Sequence, residues 1–223
     1  NEKLDKMEVS DYKNIFGNLY KKLNESDLVI VNLETTLTDT EEKDKYPNKV
    51  FNYKLSSRFS NILKIGNIGH VSLANNHICD YQKNGLLETQ KNLKKLEISY
   101  VGAGKTSTEA KKYIIRELKN KDSQPIKIGF FSICDHMEEW EAKKEKHGIF
   151  YIPIKSGKMN RRQKEVIKLV KDLKVSNKVD FIVISCHWNS NYVEKIDLHF
   201  KKFGRSLIDA GADIIHGHSP HHI

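Results

Sequence analysis

A largely parallel α/β sheet covered on both faces by helices is the fold class that the 223-residue sequence predicts. Continuous apolar runs inside DLVIVNL and VDFIVIS read as strands buried on both faces rather than on one. Such runs alternate with stretches whose apolar residues recur at helical spacing. No Pro/Ser-rich linker and no repeat interrupts the alternation, so one domain over residues 1–223 is expected.

The elements follow in order. Residues 11–26 carry Ile15, Leu19 and Leu23 at helical spacing, and residues 27–33 form the first strand. Residues 56–65 read as a helix, 70–74 as a strand, and 81–96 as a helix with Leu86, Leu87, Leu93 and Leu96 on one side. A short strand over 98–101 leads into Gly102-Ala103-Gly104, read as a tight turn because it lacks the full glycine pattern and the Lys-Ser/Thr ending of a phosphate loop. Residues 113–118 and 126–133 form a hairpin around 120–125. A helix over 159–173, a strand over 179–185, a helix over 197–210 and a strand over 213–216 complete the series. Residues 39–48 and 137–147 are polar and read as exposed loops.

Composition narrows the function classes. Hydrophobic residues make up 38% of the chain, and no apolar run approaches the roughly 20 residues that span a bilayer. The first ten residues are charged and have no apolar core of the signal-peptide kind. The net charge of +9 invites a nucleic-acid partner, but the basic residues are 33 Lys and 5 Arg, scattered over solvent faces without interleaved aromatics. No nucleic-acid partner is expected. Cys79, Cys134 and Cys186 are odd in number and show no CxxC spacing, which argues against a disulfide framework or a thiolate zinc site.

The chemistry is positional. Four strands end in residues that bind metals or move protons: Asn32-Leu33-Glu34, Asn75-Asn76-His77 with Asp80 just after, Cys186-His187-Trp188, and His216-Gly217-His218 followed by Ser219-Pro220-His221-His222. Ligands in open α/β folds bind outside the carboxyl ends of the strands, so the four ends are expected to converge. A carboxylate, an amide oxygen and several imidazoles suit Mn, Fe or Zn. Two such ions can clamp a phosphoryl oxygen and generate a nucleophile. Glu34, Asn76, His187, His218 and His221 are the candidate ligands, and His77 the candidate acid. Taken singly, each has a blander reading: Glu34 as a loop carboxylate, Asn75-Asn76 as a turn, His187 as a core histidine. His70 is read as structural; His136, His147 and His199 are read as surface residues. Trp188 and Tyr192 either line a cleft or pack.

DLVIVNLETTLTD, HVSLANNHICDY with GLLET, YVGAGKTSTEA, IKIGFFSI, VISCHW and LIDAGADIIHGHSPHHI together resemble the successive motifs of the CapA/PgsA capsule-synthesis family, itself similar in fold to calcineurin-like metallophosphatases. The resemblance runs from Asp27 to Ile223. It implies a four-layer α/β/β/α sandwich and two divalent ions. It maps Glu34 onto the family carboxylate, Asn76 and His77 onto a ligand and catalytic histidine, His187 onto the His-Trp ligand, and His218 and His221 onto the terminal motif. Asp80 matches an acidic position placed here with His77 in the catalytic set. Three departures stand out: no Gly-Asp strand precedes Asp11, Asn189 replaces the usual Gly after His-Trp, and the closing strands are missing. A sandwich incomplete at both ends, from a longer parent, is the expectation.

Two functions follow. One is metal-dependent hydrolysis of a phosphoester or related bond. The other is accessory: binding an anionic capsule polymer or the partner enzymes of a capsule-synthesis membrane complex, to which a basic surface is suited. Family members are often membrane-anchored, whereas unpaired cysteines suit a reducing compartment; the sequence leaves localisation open.

Overall fold

The computed structural model describes residues 2–43, 49–119 and 122–221. The chain divides into two compact units, Asn1–Tyr100 and Val101–Ile223, both mixed α/β.

The first unit contains α1 (Glu2–Asp5), α2 (Leu19–Asn24), β1 (Val29–Asn32), β2 (Thr36–Leu37), β3 (Lys54–Leu55), α3 (Asn61–Ile65), β4 (Ile68–Ser72), α4 (Gln82–Lys95) and β5 (Ser99–Val101). Its sheet has the order β1-β4-β5, with β1 and β4 parallel and Asn32 level with Ser72. Parallel pairing puts both carboxyl ends on one rim, so Glu34 and Asn75 become neighbours. The helix expected over 11–26 is broken: a 3-10 segment, Val9–Phe16, stops at Gly17, whose φ of 50° no right-handed helix accepts. The pair β2–β3 has only two residues per strand, too short for any periodicity to reveal. Gly85 lets α4 lie against β2, because a Cβ there would meet Tyr81 and Thr36 at 2.5 and 3.1 Å. Thr89 Oγ1 then accepts the Leu37 N–H at 2.8 Å.

The second unit contains β6 (Ala103–Gly104), α5 (Ser107–Ala110), β7 (Ile114–Lys119), β8 (Pro125–Cys134), β9 (Gly148–Ile149), α6 (Arg161–Val175), β10 (Phe181–His187), α7 (Leu198–Asp209) and β11 (Ile214–His218). Its sheet order is β11-β10-β8-β7; β8, β10 and β11 run parallel and β7 is antiparallel, forming the hairpin with β8. Positions 120 and 121 of that turn lie outside the described residues. The expected tight turn at 102–104 is instead partly strand, since β6 pairs antiparallel with β9. Nor is the 137–147 stretch wholly an exposed loop: Trp140 and Ala142 are buried in it.

β10 shows how alternation divides the sheet into two chemistries. Ile182, Ile184 and Cys186 enter an apolar core with Val166, Val170, Phe203 and Leu207 of α6 and α7. Val183, Ser185 and His187 lie on the other face by the two-residue period of a strand. α6 starts at a reciprocal cap: Asn160 Oδ1 accepts from Gln163 N at 3.0 Å, and Gln163 Oε1 accepts from Asn160 N at 2.9 Å. Among the described residues no helix is long and apolar enough to cross a membrane.

Gly148 offers a test of the β6–β9 pairing. Its φ is 155°, and a Cβ there would sit 1.9 Å from the Trp140 carbonyl oxygen. Gly157 also has positive φ, 103°, but open space around it. We predict that Gly148→Ala costs about 2 kcal/mol or more in urea unfolding, and that Gly157→Ala costs about 1 kcal/mol from backbone strain alone.

Candidate functional site

In the first unit the rim of β1 and β4 is cross-tied by amides. Asn75 Nδ2 donates to Asn32 Oδ1 at 3.0 Å and to the Leu33 carbonyl at 2.9 Å, while Asn32 Nδ2 donates to Glu34 Oε2 at 2.8 Å. Asn75 Oδ1 accepts the His77 N–H at 3.0 Å, which fixes the turn that presents Asn76 and His77. Asn75, taken alone a common turn residue, is therefore the structural centre of this rim.

His77 is held on three sides. Its Nδ1 lies 2.7 Å from Asp80 Oδ2, its ring stacks on Tyr53 at 4.1 Å and 27°, and it is buried. Asp80 is fully buried, accepts the Tyr53 N–H at 2.6 Å, and faces the Lys49 ammonium at 2.9 Å. Lys49 Nζ also donates to the Asn76 carbonyl. A carboxylate that accepts from Nδ1–H leaves Nε2 as the ring's working nitrogen, the orientation used when an imidazole transfers protons. Asn76 Oδ1 is buried and has no hydrogen-bond partner among the described residues. Sequence reading missed Lys49 and Tyr53; neither lies at the end of an apolar strand.

In the second unit three parallel strands deliver their ends to one rim. The register sets His187 level with Cys134 and His218, and Ser185 level with Ser132 and His216. Ser185 Oγ and His216 Nδ1 are 2.9 Å apart, and the Nδ1 atoms of His187 and His218 are 2.8 Å apart. Burial, with His216 adding to it, pushes His218 down to about 3, so its imidazole is neutral at pH 7; burial also lowers His216. His218 Nε2 is buried with no hydrogen-bond partner among the described residues, a cost of about 1–3 kcal/mol.

Asp135 and His136, which follow β8 directly, join this rim. The His136 ring stands edge-on to His187 at 5.4 Å and its Nδ1 is 3.3 Å from Asp135 Oδ1. His136 Nε2 lies 3.1 Å from Ser219 Oγ. Burial raises the Asp135 carboxyl, offset by His136 and the Asn189 N–H. His136, read from sequence as a surface residue, is thus part of the cluster. The strand-end rule reaches it once it is applied to IKIGFFSIC as well. Asn189 adopts φ 71°, the left-handed conformation that Gly favours and Asn tolerates. Tyr192, Ser219 and His221 also have positive φ, 58°, 107° and 56°. Strained non-glycine residues, each costing about 1–3 kcal/mol, gather at functional sites.

His221 is exposed and its ring lies against Tyr192 at 5.8 Å. Trp188 packs on Phe200 and Phe203 and fills the space beside Gly204 and Gly217, so it serves packing. Among the described residues no three His, Cys, Asp or Glu side chains gather closely enough to hold one ion. Glu34, Asn76, His77 and Asp80 lie in the first unit, and His187, His218 and His221 in the second.

Comparison with known proteins adds the decisive fact. The family described as "Bacterial capsule synthesis protein PGA_cap" matches residues 1–223, the entire chain. The chain belongs to this family. It is 29% identical over 217 residues to the "Capsule biosynthesis protein CapA" of Bacillus anthracis, covering 95% of the chain and 49% of that protein. It is 29% identical over 200 residues to a "Probable polyglutamine synthesis accessory protein" of Mycobacterium tuberculosis, covering 88% and 50%. With the "PGA biosynthesis protein CapA" of Bacillus subtilis it shares 28% over 196 residues, covering 88% and 48%. The chain spans about half the length of these relatives of the capsule synthesis family.

The depressed His218 carries a stability signature. In the unfolded chain a histidine takes its proton near pH 6.5, whereas folded His218 resists until about 3. The unfolded state therefore binds more protons across that window, and stability falls as pH drops from 6.5 toward 3. We predict that chelator-treated protein loses thermal stability over this range, and that His218→Gln flattens the slope.

Proposed function

We propose that this capsule-synthesis chain carries a metal-assisted hydrolytic function, cutting a phosphoester or related bond in the making of an anionic capsule polymer. The observation that carries the reading is the His187–His218 pair. Two nitrogen donors on one transition-metal ion, each bonded at ~2.0–2.1 Å, lie roughly 3 Å apart. The Nδ1 atoms stand at 2.8 Å, and His218 is kept neutral as a ligand requires. The orphaned oxygen of Asn76 is of the donor type such ions accept.

In this reading the residues that would hold divalent ions of Mn, Fe or Zn are His187, His218 and His221 in the second unit, and Glu34 and Asn76 in the first. When bound, such ions would supply Lewis acidity and would lower the pKa of a coordinated water. His77 delivers a proton from Nε2 to the leaving oxygen. Asp80 keeps Nδ1 protonated and the ring oriented, Tyr53 holds the ring plane by stacking, and Lys49 neutralises Asp80. The finer architecture, a single-domain α/β/β/α sandwich of metallophosphatase type, belongs to the same proposal.

A second reading is favoured by the lack of a three-residue cluster among the described residues and by the word "accessory" in one relative's name. Here the chain binds the polymer or its synthesis machinery without turnover. The hydrolytic reading predicts bound transition metal by elemental analysis, reduced in His187→Ala and His218→Ala. It also predicts manganese-dependent hydrolysis of an aryl phosphate, abolished in His77→Ala and lowered about 10–100-fold in Asp80→Asn. Metal content without turnover would leave the accessory reading.

A further inference from the structure

Beside His77 the first unit carries a short series of rings that reaches solvent. The His77 ring stacks on Tyr53 at 4.1 Å and 27°, and Tyr53 lies nearly parallel to Phe51 at 6.1 Å and 17°. Phe51 and Tyr53 are two residues apart, the spacing that puts side chains on one side of an extended chain. Phe51 is 62% exposed and Tyr53 44%, so the outer end of the series is open. Polar contacts pin the chain on either side of Phe51. Lys49 Nζ faces Asp80 at 2.9 Å and donates to the Asn76 carbonyl. The Tyr53 N–H donates to Asp80 at 2.6 Å, and the Tyr53 carbonyl accepts from Thr36 N and Oγ1 at 3.2 and 2.8 Å. A single exposed aromatic ring needs no explanation. This one continues a stack that begins on the candidate acid, from a segment whose flanking residues are fixed.

We infer that Phe51 selects the substrate, by stacking on a ring, aromatic or sugar, carried by the leaving group of the phosphoester. The inference rests on the hydrolytic reading and deepens it by naming the class of leaving group. In that reading water forms the new bond to phosphorus and the bond to the leaving oxygen breaks. That oxygen takes the proton of His77, and a proton of the water restores the imidazole. The leaving group is therefore the part of the substrate that meets His77, and Phe51 is two ring contacts away. A ring offers a rigid apolar face to an aromatic side chain. A flexible alkyl chain gives up more rotational freedom for the same contact. Phenyl rings and the C–H face of a pyranose share this chemistry.

The test is manganese-supported hydrolysis, by the whole chain, of three esters of primary alcohols: 2-phenylethyl phosphate, glucose 6-phosphate and ethyl phosphate. Wild type is expected to favour a ring-bearing ester over ethyl phosphate in kcat/KM. Phe51→Ala, at an exposed position, keeps the melting temperature and lowers that preference about three- to tenfold, chiefly through KM. Phe51→Tyr retains it. A loss confined to the phenylethyl ester supports the platform with an aromatic ring as its partner, and one confined to the glucose ester supports it with a sugar. Hydrolysis with the same preference in wild type and Phe51→Ala overturns the platform and leaves the hydrolytic reading standing. So does an equal loss on all three esters, which would mean that Phe51 only steadies Tyr53. No hydrolysis of any ester by metal-loaded protein overturns the hydrolytic reading, and this inference with it.

Discussion

Parallel pairing of β10 with β11 sets His187 level with His218, and the second unit's chemistry depends on that register. In a strand the side-chain period is two, so a slip of one residue would turn Gly217 or Ser219 toward the place that His218 occupies. The register is secured from the opposite face. Ile182, Ile184 and Cys186 are packed under α6 and α7, and each fully buried aliphatic or aromatic side chain there contributes about 1.5–3 kcal/mol. Several such contacts outweigh the roughly 1–3 kcal/mol that a buried, unsatisfied imidazole nitrogen costs. The apolar face thus maintains a polar face that would not hold itself together.

The first unit solves a different problem, placing one imidazole at a fixed angle. Asn75 ties the β4 exit to the β1 exit, so the turn carrying His77 cannot swing away. Asp80 and Tyr53 then restrain the ring by hydrogen bond and by stacking. The buried Lys49–Asp80 pair is costly to desolvate, and such pairs seldom add stability over an apolar alternative. Its value lies in orientation.

The long strands and helices were legible because their apolar runs exceed the length at which pattern decides: α4, α6, α7, β8, β10 and β11 lie within a few residues of their expected bounds. The two-residue strands β2, β3, β6 and β9 carry no periodicity, and Gly17 broke a helix whose spacing looked continuous. At the candidate site, strand-end position led to His77, His187 and His218. It passed over His136 because the same rule was not applied to β8, and over Lys49 and Tyr53 because they reach Asp80 from loop and edge positions. The partner of Asp80, open in the sequence, emerges only from its 2.7 Å approach to His77.

Histidine nitrogen NMR of the intact chain, with and without added zinc, addresses the His187–His218 pair most directly. The account predicts that the His218 ring stays neutral near pH 6 and that zinc shifts the resonances of both rings together at one stoichiometry. Titration of His218 near pH 6.5, with no response of either ring to zinc, would contradict it.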